Sequence, residues 1–237
     1  MLSFVITIVL AVVLWRSFLP PKHRQVLNVY FGVPGSGKTT FAAWLTKYCG
    51  KESRIIRLCR RHENRVTRAV MRSRFFKRKL PVYSNVPITG AYVLDAKTDI
   101  GNFMIQDAKI IIDEAGIEYN NRSYKTFPPE AVYFYKYHRH YKTSVDVFSQ
   151  SYDDMDITLR RLAQNFYVVR KSLIPFCVIR RRVRRKIGVD ETTHQIMDLY
   201  AMGFPIIDTK RIFSPPLWKL FNSYSRKELP GKEWARW

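Results

Sequence analysis

The sequence contains few cysteines, and their spacing matches no recognisable site. Cys49, Cys59 and Cys177 are odd in number and far apart, and no C-x-x-C pattern occurs. This argues against a disulfide framework or a zinc site and fits a reducing compartment. His138 and His140 are two residues apart, so a helix would point them to different faces. They give no metal signature, and a surface helix is the favoured interpretation.

Acidic residues are scarce relative to basic ones. The chain has 41 Lys plus Arg against 19 Asp plus Glu, a formal net charge of +22. This excess predicts an anionic partner, either nucleic acid or an anionic lipid surface, without deciding between them.

Hydrophobic residues make up 46% of the 237 residues, which excludes a disordered chain. The length allows one α/β domain with additions or two small domains. No internal repeat or low-complexity tract is present.

A second long apolar run is also lacking, because the only one lies at the N-terminus. Leu2–Trp15 is nearly free of polar residues, Arg16 interrupts it, and Pro20 and Pro21 end it. The stretch is short for a membrane span, but a long arginine stem near its end can reach the interface. We predict a membrane anchor at 1–19 and a linker at 20–25. Basic residues in the linker predict that the following domain is cytoplasmic. A buried core helix and a signal peptide are the alternatives.

The most specific motif is Gly-Val-Pro-Gly-Ser-Gly-Lys-Thr at Gly32–Thr39, which matches G-x-x-x-x-G-K-[ST]. An apolar run, Val26–Phe31, precedes it, and a helix-compatible run, Thr40–Tyr48, follows it. In such a loop, backbone N–H groups and a helix N-terminus surround phosphate oxygens. We predict that Lys38 binds the β- and γ-phosphates of ATP and that Thr39 holds Mg²⁺. The predicted nucleotide-binding residues are Gly32, Pro34, Gly35, Ser36, Gly37, Lys38, Thr39 and Thr40.

A second motif is the β-branched run Ala108–Ile112, which ends in Asp113 and Glu114. The pattern is typical of a buried strand that delivers two carboxylates to the edge of a sheet where ligands bind. Together with the upstream phosphate loop, it is the Walker B arrangement of P-loop proteins. We predict that Asp113 holds Mg²⁺, directly or through water, and that Glu114 is the general base that activates water.

Further candidates follow this strand. Ser144–Phe148 reads as a strand, and we predict that Gln150 just after it senses the γ-phosphate or the water. An ordinary loop amide is the alternative. Met155–Gln164 reads as a helix that carries Arg160 and Arg161. These arginines could stabilise transition-state charge at a neighbouring subunit's nucleotide, and a surface salt bridge is at least as well supported.

These elements predict a P-loop NTPase of the RecA/FtsK-like class, with a mostly parallel sheet and flanking helices, preceded by a transmembrane helix. We place the ATPase domain at 26–189 and a C-terminal extension of undefined structure at 190–237. Strands are expected at Arg54–Leu58, Pro81–Ile88, Asn165–Arg170, Pro175–Arg185 and Phe204–Ile207. Helices are expected at Arg60–Lys79 and Pro129–Lys142, and a short amphipathic segment is expected at Leu217–Tyr224.

The order of these motifs resembles the zonular occludens toxin (Zot) family, which includes the assembly ATPase of filamentous bacteriophages. The resemblance covers about Val26 to Arg185. Apart from the two Walker motifs, the matching segments are Tyr83–Pro87, His138–His140, Ser149–Gln150, Asp154–Asp156 and Arg160–Arg161.

The resemblance implies an inner-membrane motor for virion assembly and export, with its ATPase domain in the cytoplasm. It implies ATP and Mg²⁺ as cofactors and a homo-oligomeric ring such as a hexamer. Phage coat proteins or phage DNA would be partners, together with membrane lipid. Lys38 and Thr39 would bind phosphate and Mg²⁺. Asp113 would hold the metal, Glu114 would activate water, and Gln150 would sense the γ-phosphate or the water.

The position of the apolar run departs from the family pattern. Family members commonly place the membrane span after the ATPase domain and add a periplasmic segment, whereas here the span comes first and none follows. We therefore predict neither toxin activity nor contact with an outer-membrane channel. Two other functions stay open: a DNA-translocating FtsK/HerA-type ATPase for packaging or conjugation, and a nucleotide-gated membrane scaffold.

Overall fold

The structure is a computed structural model. It describes residues 7–8, 11–12, 15, 25–50, 58–59, 61–62, 64–72, 79–119, 128–189, 196–205 and 207–222.

Nine strands of the described residues form one mixed sheet. They are β1 (Leu27–Phe31), β2 (Val82–Ser84), β3 (Tyr92–Val93), β4 (Lys109–Ile112), β5 (Ser144–Ser149), β6 (Asn165–Lys171), β7 (Cys177–Val189), β8 (Ile196–Met202) and β9 (Thr209–Phe213). The order is β3-β2-β4-β5-β1-β6-β7-β8, and β9 also pairs with β7. Neighbours from β3 to β6 are parallel, whereas β7 runs antiparallel to β6, β8 and β9.

The described helices connect and cover these strands. They are α1 (Lys38–Cys49), α2 (Arg65–Arg72), α3 (Ala115–Glu118), α4 (Pro129–Tyr137), α5 (Ile157–Leu162) and a 3₁₀ helix (Pro215–Leu220). The sequence supplies local start signals for two of them. Pro129 opens α4, where a missing N–H costs nothing. The Asp156 carboxylate accepts a hydrogen bond from the Thr158 N–H at 2.6 Å and caps α5.

Alternation along the strands produces one core on each face of the sheet. Leu27 and Val29 of β1 pack with the buried side of α4 on one face. Tyr30, the residue after Val29, packs with Phe41 of α1 and Phe148 of β5 on the other face. Strands β1, β4 and β5 are almost entirely buried. This burial explains why apolar residues predominate in them.

A row of buried polar side chains crosses the sheet. Lys109 of β4 forms an ion pair with Asp146 of β5. The Asn28 amide donates to the same Asp146 carboxylate at 2.6 Å, and the Asn165 amide donates to Asn28 Oδ1 at 3.0 Å. Because buried polar groups are costly unless they find partners, this row favours one register among β4, β5, β1 and β6.

The structure confirms most of the predicted elements and corrects others. The β6–β7 hairpin, the strand before the phosphate loop and the helix after it are where the sequence placed them. The strand expected at Phe204–Ile207 is wrong, because the described residues there form the turn between β8 and β9. The Asp208 carboxylate accepts a hydrogen bond from the Phe204 N–H at 2.8 Å, and the Asp208 N–H donates to the Phe204 carbonyl at 3.0 Å. These bonds close the turn, and Phe204 and Ile207 are exposed.

Helix boundaries also differ from the predictions. The helix expected at Pro129–Lys142 ends at Tyr137, and turns follow it up to β5. His138, expected on a helix surface, is 1% exposed, because its ring packs inward at that helix end. The helix expected at Arg60–Lys79 is observed over Arg65–Arg72, and residues 73–78 lie outside the described part. Most of the strand expected at Arg54–Leu58 also lies outside it, and Leu58 itself is helical.

The predicted anchor falls largely outside the described residues. Those described within 1–19 are helical and exposed: Thr7, Ile8, Ala11, Val12 and Trp15. In the part of the chain that the structure covers, no helix has the length and apolar character needed to span a bilayer.

Candidate active site

The phosphate loop connects the end of β1 to the start of α1. Gly35 and Gly37 have φ of +73° and +97°, a left-handed conformation that other residues rarely adopt. The loop is also packed tightly from one side. A Cβ at Gly32 would lie 2.3 Å from the Val169 carbonyl oxygen, and one at Gly37 would lie 2.5 Å from Val178 Cγ2. Strands β6 and β7 therefore support the loop and require glycine at both positions.

Lys38 is folded back onto the loop that it terminates. Its ammonium group donates to the carbonyl oxygens of Gly32 at 2.6 Å and Val33 at 3.2 Å. Burial lowers the pKa of Lys38, while the carboxylates of Asp113 and Glu114 act in the opposite direction. The loop thus holds a buried cation next to the N-terminus of α1, an arrangement suited to an anion.

Thr39 links the two sequence motifs directly. Its hydroxyl donates to Asp113 Oδ2 at 2.8 Å, although the residues are 74 positions apart. Asp113 is 4% exposed, and this burial raises the pKa of its carboxyl group. Hydrogen bonds from Thr39 and from the Glu114 N–H act against that rise by favouring the ionised form. The predicted metal ligands Thr39 and Asp113 are therefore in contact.

Glu114 presents its carboxylate differently. Its backbone is left-handed, with φ 51° and ψ 45°, and it precedes the first residue of α3. Its N–H donates to Asp113 Oδ1 at 3.0 Å. The side chain is exposed, whereas that of Asp113 is buried. The two adjacent acids thus have separate environments, one suited to holding a cation and one open to water.

Asn85 is a site residue to which the sequence analysis assigned no role. Its amide nitrogen donates to the Asp113 carbonyl at 2.9 Å, and its amide oxygen accepts from the Asp113 N–H at 2.8 Å. This pair of bonds ties the end of β2 to the end of β4 and fixes the backbone that carries the acids. A polar residue within the predicted strand Pro81–Ile88 was the available signal.

The sheet order determines where Gln150 lies. Strand β5 lies between β4 and β1, and Ser149 is in register with Phe31. Gln150 therefore follows at the level where the phosphate loop begins, between that loop and the acidic strand end. Its side chain is exposed, while Ser149 is buried. Parallel strands β4, β5 and β1 thus bring Asp113, Gln150 and Gly32 to one edge.

The two candidate arginines have different surroundings. Arg160 is half-buried, with its guanidinium 4.8 Å from the centre of the Tyr152 ring and 3.4 Å from Asp153 Oδ1. Arg161 is exposed. Arg160 thus contacts neighbours within its own chain, and Arg161 is accessible to a second chain.

The residues at this edge suit Mg²⁺. The ion prefers oxygen ligands and is commonly held by one or two protein oxygens plus substrate phosphates. The Thr39 hydroxyl and the Asp113 carboxylate supply such oxygens. Their hydrogen bond shows that the two groups lie close enough to bind the same ion. Within the described ranges, no group of at least three His, Cys, Asp or Glu side chains forms a metal cluster.

Comparison with known proteins identifies one family. The family model for zonular occludens toxin (Zot) matches residues 26–226. The chain is similar to the N-terminal domain of zonular occludens toxin from Neisseria meningitidis, with 17% identity and a TM-score of 0.49 over 84% of this chain and 100% of that one.

Two other solved structures are similar at lower scores. The genome packaging NTPase B204 from Sulfolobus turreted icosahedral virus 2, in complex with ATP-gammaS, has 12% identity and a TM-score of 0.38 over 77% of this chain and 98% of that one. The RadB recombinase has 13% identity and a TM-score of 0.36 over 78% and 90%. No curated protein matches the chain.

Proposed function

This chain belongs to the zonular occludens toxin (Zot) family, and from that premise we propose that it is a membrane-anchored ATP hydrolase that drives assembly and extrusion of a filamentous phage. The observation that carries the hydrolase proposal is the hydrogen bond between Thr39 and Asp113. It joins the phosphate loop to the acidic strand at one sheet edge, as phosphoryl-transfer chemistry requires.

Each residue of the loop then has a task in binding. The loop N–H groups and the start of α1 surround the phosphates. The Lys38 ammonium exchanges the carbonyl oxygens of Gly32 and Val33 for phosphate oxygens, so part of its burial cost is recovered on binding. Thr39 and Asp113 would hold Mg²⁺, which would supply positive charge to neutralise the phosphates. Because these groups are already in place, little reorganisation is needed.

Glu114 is the proposed general base. Its exposed carboxylate accepts a proton from a water molecule as the water oxygen bonds to the γ-phosphorus. The bond between that phosphorus and the β–γ bridging oxygen breaks, and ADP leaves with the electron pair. Gln150, beside the loop at the same edge, orients the water.

The substitution Glu114→Gln tests this assignment. ATP binding should be unchanged, because the loop is intact, while turnover should fall by about 10²- to 10⁴-fold, the usual contribution of a general base. Steady-state phosphate release and equilibrium binding measure the two quantities. Glu118→Gln is the matched control, since Glu118 is four residues on and pairs with Lys97 instead. Wild-type turnover in Glu114→Gln would remove the proposed mechanism.

The motor role rests on the family and on charge. The apolar run at 1–19 anchors the chain in the host inner membrane, and the ATPase domain lies in the cytoplasm. A homo-oligomeric ring, for example a hexamer, places the exposed Arg161 near a neighbouring nucleotide, with Arg160 as the second candidate. Phage coat proteins or phage DNA are the proposed cargo, and membrane lipid is the proposed anionic surface.

A second candidate function is DNA translocation by an FtsK/HerA-type mechanism, favoured by the net charge of +22. Exposed arginines on β7, including Arg182 and Arg184, extend this cationic surface. DNA would then stimulate ATP hydrolysis, and the stimulation would fall steeply with salt as counterions compete. ATPase rates with DNA and with anionic vesicles separate the two functions.

A further inference from the structure

Two exposed aromatic rings lie together on the β6–β7 side of the phosphate loop. Phe176 directly precedes β7 and is 63% exposed, and Trp218 of the 3₁₀ helix is 53% exposed. Their ring centroids are 6.2 Å apart at an interplanar angle of 66°. This is an edge-to-face contact of the kind that favours a defined ring geometry. The pair is therefore ordered in spite of its exposure.

The neighbours of each ring along the chain pack against the phosphate loop or against the helix that follows it. Val178, two residues after Phe176, reaches the position that a Gly37 side chain would fill. Leu217, next to Trp218, is buried in the same cluster as Phe41 of α1 and Val178. The start of β7 thus lies beside the phosphate loop, and the 3₁₀ helix packs against α1, where Lys47 Nζ donates to the Pro216 carbonyl at 3.4 Å.

The site is polar at one end and aromatic at the other. In the sheet order, β4 carries Asp113 on one side of β1, whereas β6 and β7 lie on the opposite side. Thr39 and Asp113 mark the metal-binding end. A nucleotide whose γ-phosphate lies towards Asp113 extends its base away from it, towards β6 and β7.

We propose that Phe176 and Trp218 form the platform that binds the nucleobase of the triphosphate held by the loop. This inference rests on the proposed function, because it needs a nucleotide in that loop. Aromatic side chains bind bases by stacking without reading their edges. The platform therefore adds affinity for a purine or pyrimidine ring and adds none for a phosphate chain alone.

The backbone at Phe176 is consistent with a built site. Its φ is +59°, a left-handed conformation that is uncommon outside glycine. The Ser214 N–H donates to its carbonyl at 2.8 Å, and Ser214 is buried. Strained residues persist only where surrounding structure holds them, and they concentrate at ligand sites. The fold thus holds the ring of Phe176 in place before any base arrives, which lowers the entropy lost on binding.

Other occupants make different demands on this surface. A lipid bilayer or a second copy of the chain would cover the whole hairpin tip, including the fully exposed Leu173. A nucleobase needs only the ordered pair. Phe213 provides the matched comparison, because it is also 53% exposed but adjoins the buried Ile212 and so faces the other side of the sheet.

The test compares ATP with inorganic tripolyphosphate, which has the phosphates and no base. Binding of each to the full chain in detergent is measured by titration calorimetry for wild type, Phe176→Ala, Trp218→Ala and Phe213→Ala. We expect each of the first two variants to lose about tenfold in ATP affinity, as loss of one stacking partner predicts, with tripolyphosphate affinity unchanged. Phe213→Ala should change neither. Trp218→Phe keeps a ring and should retain most of the ATP affinity.

Three results would overturn the platform. ATP affinity at the wild-type level in both alanine variants is the first. An equal loss of tripolyphosphate affinity is the second, because it would indicate a distorted loop. Loss of self-association or vesicle binding at unchanged ATP affinity is the third, because it would assign the surface to a second copy or to lipid. If wild type binds neither ligand, the proposed function fails as well; if it binds both, only this inference is at stake.

Discussion

At the scale of single residues, Asn85 shows how one side chain can fix the backbone that carries two acids. Its amide forms hydrogen bonds in both directions with the main chain of Asp113. Those bonds replace part of the sheet pairing that ends just before the acids, since β2 and β4 pair only up to Ser84 and Ile111. Asn85 is thus a positioning residue for both carboxylates.

Replacing Asn85 with Ala should affect stability and turnover together. The half-buried N–H and carbonyl of Asp113 lose their partners, which should cost about 1–3 kcal/mol in the free energy of unfolding. ATP turnover should fall more than ATP affinity, because the acids lose orientation while the loop stays intact. Urea unfolding and steady-state kinetics measure these effects. Asn102→Ala is the control, since that exposed amide only donates to the nearby Thr98 carbonyl. Equal effects in the two variants would contradict the positioning role.

His138 is a residue whose burial creates a pH dependence. Its Nδ1 lies 2.7 Å from the Tyr135 carbonyl oxygen. Burial lowers the pKa of His138 from its usual 6.5, against the smaller opposing effect of this hydrogen bond. A histidine with a depressed pKa in the folded state favours folding when neutral. Its contribution is therefore complete above pH 6.5 and is lost as pH falls through the folded-state pKa.

The variant His138→Phe should remove this part of the acid sensitivity. Wild type should lose stability as pH falls from 7.5 to 5, with a His138 contribution of at most about 1.4 kcal/mol per pH unit, the value for one proton. Chemical denaturation over this range measures the slope. His140→Phe, at an exposed position two residues away, should keep the wild-type slope. Identical slopes in wild type and His138→Phe would refute the assignment.

At the scale of elements, the β6–β7 hairpin acts as a support for the phosphate loop. Val169 of β6 and Val178 of β7 lie so close to Gly32 and Gly37 that no side chain fits at either glycine. The loop conformation therefore depends on strands that come more than a hundred positions later in the chain. The same packing places the hairpin, including Phe176, close to any ligand that the loop binds.

Two glycine substitutions separate backbone strain from this packing. Gly35→Ala should cost about 1–2 kcal/mol, the price of a left-handed residue, because nothing lies within 4 Å of its new Cβ. Gly37→Ala should cost more, since its Cβ also meets Val178 Cγ2 at 2.5 Å. A double-mutant cycle with Val178→Ala should recover the steric part of that cost. Equal unfolding free energies for the two glycine variants would show that β7 does not press on the loop.

At the scale of the whole molecule, one sheet combines two parts. The parallel part, from β3 to β6, carries the proposed nucleotide site at its carboxyl edge. The antiparallel part, β7 to β9, adds the hairpin and much of the arginine content. Strands β8 and β9 fall in the region predicted as a C-terminal extension, yet both pair with β7. The sheet therefore continues beyond residue 189.

Deletion of residues 1–24 tests the proposed anchor. The full chain should float with lipid vesicles even at high salt, because burial of an apolar run does not depend on ionic strength. The shortened chain should bind only anionic vesicles and should be released by salt, as expected for a basic surface. Vesicle flotation measures both, with neutral vesicles as the control. Salt-resistant flotation of the shortened chain would contradict the anchor.

The sequence predicted more of the site than of the sheet. Its phosphate loop and its acid pair were identifiable because chemistry demands particular residue types at fixed spacing. Strands β8 and β9 were missed, since segments such as Thr209–Phe213 show no clear alternation of apolar and polar residues. Such segments become strands by pairing with the exposed edge of β7, and β-propensity depends on that context.

By itself, the sequence determined the presence and order of the phosphate loop, the acidic strand and the polar residues that follow each strand. Only the tertiary structure decided that β5 lies between the two motif strands, that Asn85 holds the main chain of Asp113, and that Val178 closes on Gly37. The physical reason is the distance along the chain over which each kind of interaction acts. Local patterns record what a residue does to its neighbours in the chain, whereas contacts between distant segments depend on strand order and on which cores can be buried together.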